Sequence, residues 1–142
     1  MTLVVDASVA GAWLLPDETS RQAESILERV ASGDVDLAVP ELWLYELTNL
    51  LVSAQRRARI AAEHVDAAQR LIDAVPYETF GLHSALVRQR AGRLAERYGL
   101  SAYDACYLEL ADRLQCPLAT FDDRLATAAA SLGLEEPTSR GS

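Results

Sequence analysis

The sequence contains no lysine. All 13 basic residues are arginine, 21 residues are acidic, and the formal net charge is -8. Without an ε-ammonium group, a Walker-type phosphate loop, a Schiff-base enzyme and a lysine nucleophile are excluded. The excess of acid argues against a nucleic-acid binder that works through bulk positive charge. Histidine and cysteine number two each. His64 and His83 have no partner at zinc spacing, so they read as surface or satisfied helix residues. Cys106 and Cys116 form no CxxC, so they read as reduced, buried or incidental thiols. Long apolar runs are also missing: an uncharged stretch such as Leu47 to Gln55 is far short of the ~20 residues that span a bilayer. The start, Met1 to Asp6, lacks the basic head and cleavage site of a signal peptide. These absences predict a cytoplasmic protein with no membrane segment.

The chain does have a regular alternation of short apolar runs with longer helical periods. Strands are expected at Leu3–Val5, Leu37–Val39, Tyr77–Phe80 and Pro117–Thr120, each too short for a helix. Helices are expected at Ser8–Leu15, Glu18–Ser32, Glu41–Arg57, Ala61–Val75, Leu82–Tyr98, Ser101–Leu114 and Arg124–Leu132. Strands separated by helices imply βαβ crossovers and a parallel sheet covered on both faces. The 142 residues suit one α/β domain over residues 1–136, with 137–142 as a frayed tail whose Arg140-Gly141-Ser142 ending resembles an expression scar.

In such a sheet, ligands bind beyond the carboxyl ends of the strands. Asp6 ends the first expected strand, and Asp122 lies two residues past Thr120 at the end of the fourth. Either acid would also serve as a helix N-cap, and Asp123 competes with Asp122 for both roles. Glu46 lies within an apolar helix and shares a stripe with Asn49 and Ser53, which reads equally as a solvated face. Asp104 lies away from the polar arc expected at Glu109, Asp112 and Arg113, beside Tyr107, Leu108 and Ala111. A carboxylate on a packed face is costly unless it is paired or metal-bound. If these four acids converge, they repel each other by about 4 kcal/mol per pair at ~4 Å and an effective dielectric near 20. A cation relieves that cost, and carboxylate oxygens without His or Cys select Mg²⁺ or Mn²⁺. An ion so held is suited to phosphoryl chemistry.

The sequence also resembles a family. Asp6-Ala7-Ser8 after an apolar strand, Glu46 with Asn49, Ser101-Ala102-Tyr103-Asp104-Ala105 and Leu118-Ala119-Thr120-Phe121-Asp122 look like the four acidic motifs of PIN-domain nucleases. The likeness runs from about Thr2 to Gly133, and at this length it is closest to the VapC toxins of toxin–antitoxin operons. It implies a three-layer α/β/α sandwich with a central parallel sheet. It also implies a Mg²⁺- or Mn²⁺-dependent endoribonuclease that leaves a 5′-phosphate and a 3′-hydroxyl. Carried over by position, it makes Asp6, Glu46, Asp104 and Asp122 metal-binding catalytic residues, with Ser8 and Thr120 supporting them by hydrogen bonds. Asp122 and Asp123 both remain candidates for the fourth carboxylate. Trp13, Leu14 and Leu15, and Trp43, Leu44 and Leu47 on the long helix, read by default as core packing, while the resemblance further implies a homodimer and a VapB-type antitoxin that docks in a groove made by such early helices.

Seven of the 13 basic residues fall in two segments: Arg56, Arg57 and Arg59, then Arg88, Arg90, Arg93 and Arg97. Guanidinium forks suit phosphate, and Arg90 and Arg93 are the expected RNA contacts, although an ordinary solvated face explains either cluster. Two other readings stand beside the nuclease. One is a PIN fold kept only for binding. The other is an aspartyl phosphotransfer domain, disfavoured by the missing lysine and by Ser8 where a phosphatase needs a second Asp.

Overall fold

The computed structural model describes residues 1–136. The 137–142 tail lies outside the described residues. The chain runs β1 (Thr2–Val5), α1 (Ala7–Leu14), a 3-10 turn (Pro16–Glu18), α2 (Arg21–Ala31), β2 (Asp36–Pro40), α3 (Leu42–Arg56) and α4 (Ala62–Ala74). It continues through β3 (Glu78–Phe80), α5 (Ala85–Tyr98), α6 (Ala102–Leu114), β4 (Leu118–Ala119) and α7 (Asp123–Ser131). The four strands form one parallel sheet in the order β3-β2-β1-β4.

Successive strand residues point to opposite faces, yet Leu3, Val4 and Val5 are all fully buried, as are Leu118 and Ala119. Both faces of the central strands are therefore covered, giving the expected α/β/α layering. On α6 every residue from Ala105 to Ala111 is buried, so this helix lies within the layers rather than over them.

The order of the strands locates a crevice. The chain steps outward from β1 to β2 to β3, then returns across α5 and α6 to place β4 on the other side of β1. The direction of winding reverses between β1 and β4, and ligands bind outside the carboxyl ends of strands at such a reversal. Asp6 follows β1 there, and Thr120 to Asp122 follow β4.

Two glycines have identifiable work in this architecture. Gly99 closes α5 at φ 65°, a left-handed conformation that lets the chain turn straight into α6. A Cβ at Gly11 would meet Leu50 Cδ1 at 2.9 Å, so its absence sets how closely α1 approaches α3.

Several expectations are corrected. α2 begins at Arg21 rather than Glu18, because Pro16–Glu18 forms a separate 3-10 turn and the Ser20 hydroxyl caps the helix by accepting from Ala23 N. Glu109 is not on a solvent arc. It is 2% exposed and bonded through both oxygens to Arg113, at 3.0 and 3.1 Å, and the Arg113 guanidinium lies over the Phe80 ring. After α7 the chain returns to the sheet: Leu118 N donates to Leu134 O, Glu135 bridges to Leu118, and buried Glu136 pairs with Arg29. Leu14 and Leu15 are core residues, 3% and 1% exposed, which agrees with the core packing expected by default for this stretch. Cys106 and Cys116 are free and buried, as expected, and His64 Nε2 is satisfied by Leu14 O at 2.8 Å.

Candidate active site

Asp6 and Thr120 meet at the crevice. The Asp6 Oδ1 accepts from Ser8 N, Ser8 Oγ and Val9 N at 3.1, 2.6 and 3.3 Å, which caps α1, while Oδ2 accepts from the Thr120 hydroxyl. Ser8 Oγ in turn accepts from Phe121 N at 2.9 Å, and Thr120 Oγ1 accepts from Asp122 N at 3.0 Å. Two hydroxyls thus join the turn after β1 to the turn after β4 through one carboxylate. Burial raises the Asp6 pKa to about 6, against which the Ser8 and Thr120 hydrogen bonds and the α1 amides pull downward. The capping reading of Asp6 holds, and the same carboxylate also ties the turn after β1 to the turn after β4.

Glu46 and Asp104 approach from helices. The Tyr107 hydroxyl donates to Glu46 Oε1. Glu46 is pushed above the ordinary carboxylate range by burial first; the Tyr107 bond opposes this, and the Asp104 charge adds to it. Asp104 sits in the first turn of α6, whose Ser101 cap accepts from Asp104 N at 3.0 Å. Its pKa is raised by burial and then by the charge of Asp122. Tyr107 is pushed upward by burial, by Glu46, and by the charges of Asp6 and Asp104, so it remains a protonated donor at physiological pH. This buried phenol is the group that feels both β1 and the two helices. Its role was missed in the sequence because Tyr107 occupies an ordinary core position; only its three-residue offset from Asp104 hinted at it.

Of the two neighbouring aspartates, Asp122 is the one felt by Asp104, and it also caps α7 by accepting from Leu125 N at 3.0 Å. Asp123 is an exposed residue of the first turn of α7. Asn49 is exposed on α3, and no hydrogen bond joins it to the acids among the described residues. It lines a groove with Leu44, Tyr45 and Val52 instead.

The donor set suits a hard divalent cation. No Arg or His forms an ion pair with any of the four acids among the described residues, whose ion pairs lie elsewhere. Asp6 Oδ2 accepts one hydrogen bond and keeps a lone pair. As they lie, no three Asp, Glu, His or Cys side chains among the described residues are gathered closely enough to grip one ion. Asp104 feels the charge of Asp122, and Glu46 that of Asp104, but the carboxylates stand apart.

The arginine clusters separate. Arg59 is bonded to Asp17 at 2.8 and 3.0 Å and lies 3.6 Å from Glu18, so it fastens the 3-10 turn rather than presenting a phosphate fork. Arg88 donates to the Leu82 and His83 carbonyls. Arg90 and Arg93 are exposed on α5 with no acidic partner among the described residues.

Comparison with known proteins agrees with this geometry. The PIN domain family matches residues 3–131. The chain is 35% identical over 129 residues to Ribonuclease VapC3 of Pyrobaculum aerophilum, covering 89% of this chain and 93% of that protein. It is 38% identical over 127 residues to Ribonuclease VapC9 of Mycobacterium tuberculosis, covering 87% and 88%. Its fold is similar to the crystal structure of PAE2754 from Pyrobaculum aerophilum, with TM-score 0.64, 22% identity and coverage of 90% and 79%. It is also similar to a chain of a toxin–antitoxin complex from Klebsiella pneumoniae, with TM-score 0.64, 15% identity and coverage of 96% and 97%. Acids at the β1/β4 reversal and a match over nearly the whole chain lead to one conclusion: the protein belongs to the PIN-domain family, on the branch of the VapC ribonucleases.

Proposed function

We propose that the protein is a Mg²⁺- or Mn²⁺-dependent endoribonuclease of the toxin type. The observation that carries this reading is a set of carboxylates near the β1/β4 crevice, Asp6, Glu46, Asp104 and Asp122, with no ion-pair partner among the described residues, in which Asp104 is raised by burial and then by the charge of Asp122. Asp6 and Asp104 would be the principal metal ligands, with Glu46 and Asp122 completing the oxygen set. When bound, the ion supplies an activated water and neutralises charge on the phosphate. The hydrolysis consumes one water: a new P–O bond forms, the bond to the 3′-oxygen breaks, and that oxygen takes a proton. The products are a 5′-phosphate and a 3′-hydroxyl.

The chain's own residues prepare the site. Ser8 and Thr120 fix Asp6 in one orientation, Tyr107 fixes Glu46, and the amino ends of α1, α6 and α7 all face the crevice, favouring negative charge there. Arg90 and Arg93 would engage the RNA phosphates.

The same reading includes an antitoxin partner, a homodimer and action in the cytoplasm. A depression of about 340 Å³ between the α1–α2 connection and α4, lined by Trp13, Pro16, Leu27 and Leu71, would take an apolar antitoxin segment. Exposed Tyr45 and Val52 on α3 would meet a second copy. No helix among the described residues is long and apolar enough to cross a membrane.

The test is RNA cleavage by the purified chain with Mg²⁺ or Mn²⁺, against EDTA and against Asp104→Asn. Cleavage is expected only with metal and the intact carboxylate. Cleavage in EDTA, or full activity in the variant, contradicts the proposal.

A further inference from the structure

Nine aromatic residues occur in the chain, and Tyr45, Tyr103 and Phe121 are the exposed ones. Each immediately precedes one of the site acids. Tyr45 turns into the α3 groove with Leu44 and Val52 and belongs to that surface. Tyr103 and Phe121 are different. Tyr103 is 65% exposed in the first turn of α6, next to Asp104, and Phe121 is 36% exposed in the turn between Thr120 and Asp122.

The two rings stand on fixed backbone at one place. Phe121 N is tied to Ser8 Oγ at 2.9 Å, and Tyr103 lies between the Ser101 cap and the Asp104 amide that the cap accepts from. The starts of α6 and α7 are brought together: Asp104 feels Asp122, and Arg124 on the first turn of α7 donates to Gly99 O just before α6 at 3.0 Å. Leaving most of Tyr103 and about a third of Phe121 in water beside a polar crevice forgoes part of the burial energy that the other aromatic residues realise. Each ring is also next in the chain to a carboxylate, Asp104 or Asp122, which repels phosphate.

A ligand held here needs an attraction that does not depend on positive charge. The flat face of a nucleobase supplies one, since stacking on an aromatic side chain is largely independent of base identity. We propose that Tyr103 and Phe121 are stacking platforms for unpaired nucleobases on either side of the phosphate presented to the acids. This assignment rests on the ribonuclease reading and adds two binding residues to it. It requires bases that are free of a duplex at the site, with Arg90 and Arg93 holding the backbone farther along α5.

The experiment uses the full chain with Ca²⁺ in place of Mg²⁺, and two fluorescein-labelled probes of equal charge. One is a heptauridylate; the other is the same ribose-phosphate backbone without bases. The wild type should prefer the heptauridylate. Tyr103→Ala and Phe121→Ala should each weaken it by about 5- to 100-fold while leaving the abasic probe unchanged. Tyr103→Phe should retain the preference, and Tyr103→Leu, which keeps apolar bulk without a π face, should not. The Tyr103 variants should keep the wild-type unfolding midpoint, since that ring is 65% exposed, and Phe121→Ala should remain folded at the assay temperature. Equal loss on both probes, or no loss on either, overturns the assignment. So does a change of oligomeric state by light scattering with RNA affinity intact, which would give the rings to a protein interface. Cleavage that persists without any base preference sinks the stacking alone. A wild type that neither cuts RNA nor binds either probe sinks the ribonuclease reading along with it.

Discussion

The Tyr107 hydroxyl donates its hydrogen to Glu46, joining the buried centre of α6 to the acidic residue of α3. Because burial and three surrounding carboxylates hold the phenol protonated, this donor persists through physiological pH. Glu46 is therefore positioned by a side chain that itself has no reason to titrate.

Replacing Tyr107 by Phe keeps the ring and removes the donor. The Glu46 pKa should rise further, since that hydrogen bond is what lowers it. If Glu46 acts ionised, the acid limb of the rate profile moves to higher pH. Outer-shell partners of this kind typically contribute 10- to 100-fold, so a loss of about that size is expected at neutral pH, with the fold retained. An unshifted acid limb would show that Glu46 does not depend on Tyr107.

Ionising the buried Asp6 carboxyl costs stability. Its folded pKa of about 6 lies above the ordinary value of 3.8, so the folded state holds the proton more tightly than the unfolded one. Well below pH 3.8 the group is neutral in both states and contributes no penalty. As pH rises from about 4 to 6 the penalty grows, and above 6 it is complete, on the order of 3 kcal/mol. Asp6→Asn should therefore be more stable than wild type in EDTA at pH 8, and the advantage should disappear at about pH 3. Urea denaturation at both pH values measures it; a difference that does not change with pH would contradict the assignment.

Much of this was legible before the structure. The strands around Leu3–Val5 and Leu37–Val39 announce themselves by β-branched, apolar composition, and Asp6 by its place at a strand end. Tyr107 did not, because a buried tyrosine and a buried phenylalanine look alike until the acceptor is located 61 residues earlier in the chain. Glu109 misled for a related reason: helical periodicity sees a charge and assigns it to solvent, whereas Arg113 one turn on neutralises it inside the layers. The arginine clusters were visible as composition, but only side-chain partners separate Arg59, fixed to Asp17, from exposed Arg90 and Arg93.

The Glu109–Arg113 pair predicts an asymmetric response. Arg113→Ala strands a buried carboxylate and should destabilise the protein by about 3 kcal/mol. The double replacement Glu109→Leu with Arg113→Met should cost clearly less, because no unpaired charge remains. Equilibrium unfolding of the two variants decides this; equal losses would mean that packing over Phe80, not charge, sets the effect.

Arg90 and Arg93 should act through phosphate. Reversing both to Glu should weaken RNA binding uniformly across sequences and flatten the dependence of affinity on salt, by about one unit of slope per lost contact. Unchanged affinity across a salt titration would remove α5 from the interface.

In the proposed function, four separated carboxylates act together around one kind of ion. Mn²⁺ binding, followed by electron paramagnetic resonance, tests it most directly when run beside RNA cleavage on the wild type and on Asp6→Asn, Glu46→Gln, Asp104→Asn and Asp122→Asn. Binding and cleavage should both weaken in all four, most in Asp6→Asn and Asp104→Asn, in proteins that remain folded. Undiminished Mn²⁺ binding in Asp104→Asn, or cleavage that survives where the ion no longer binds, would contradict it.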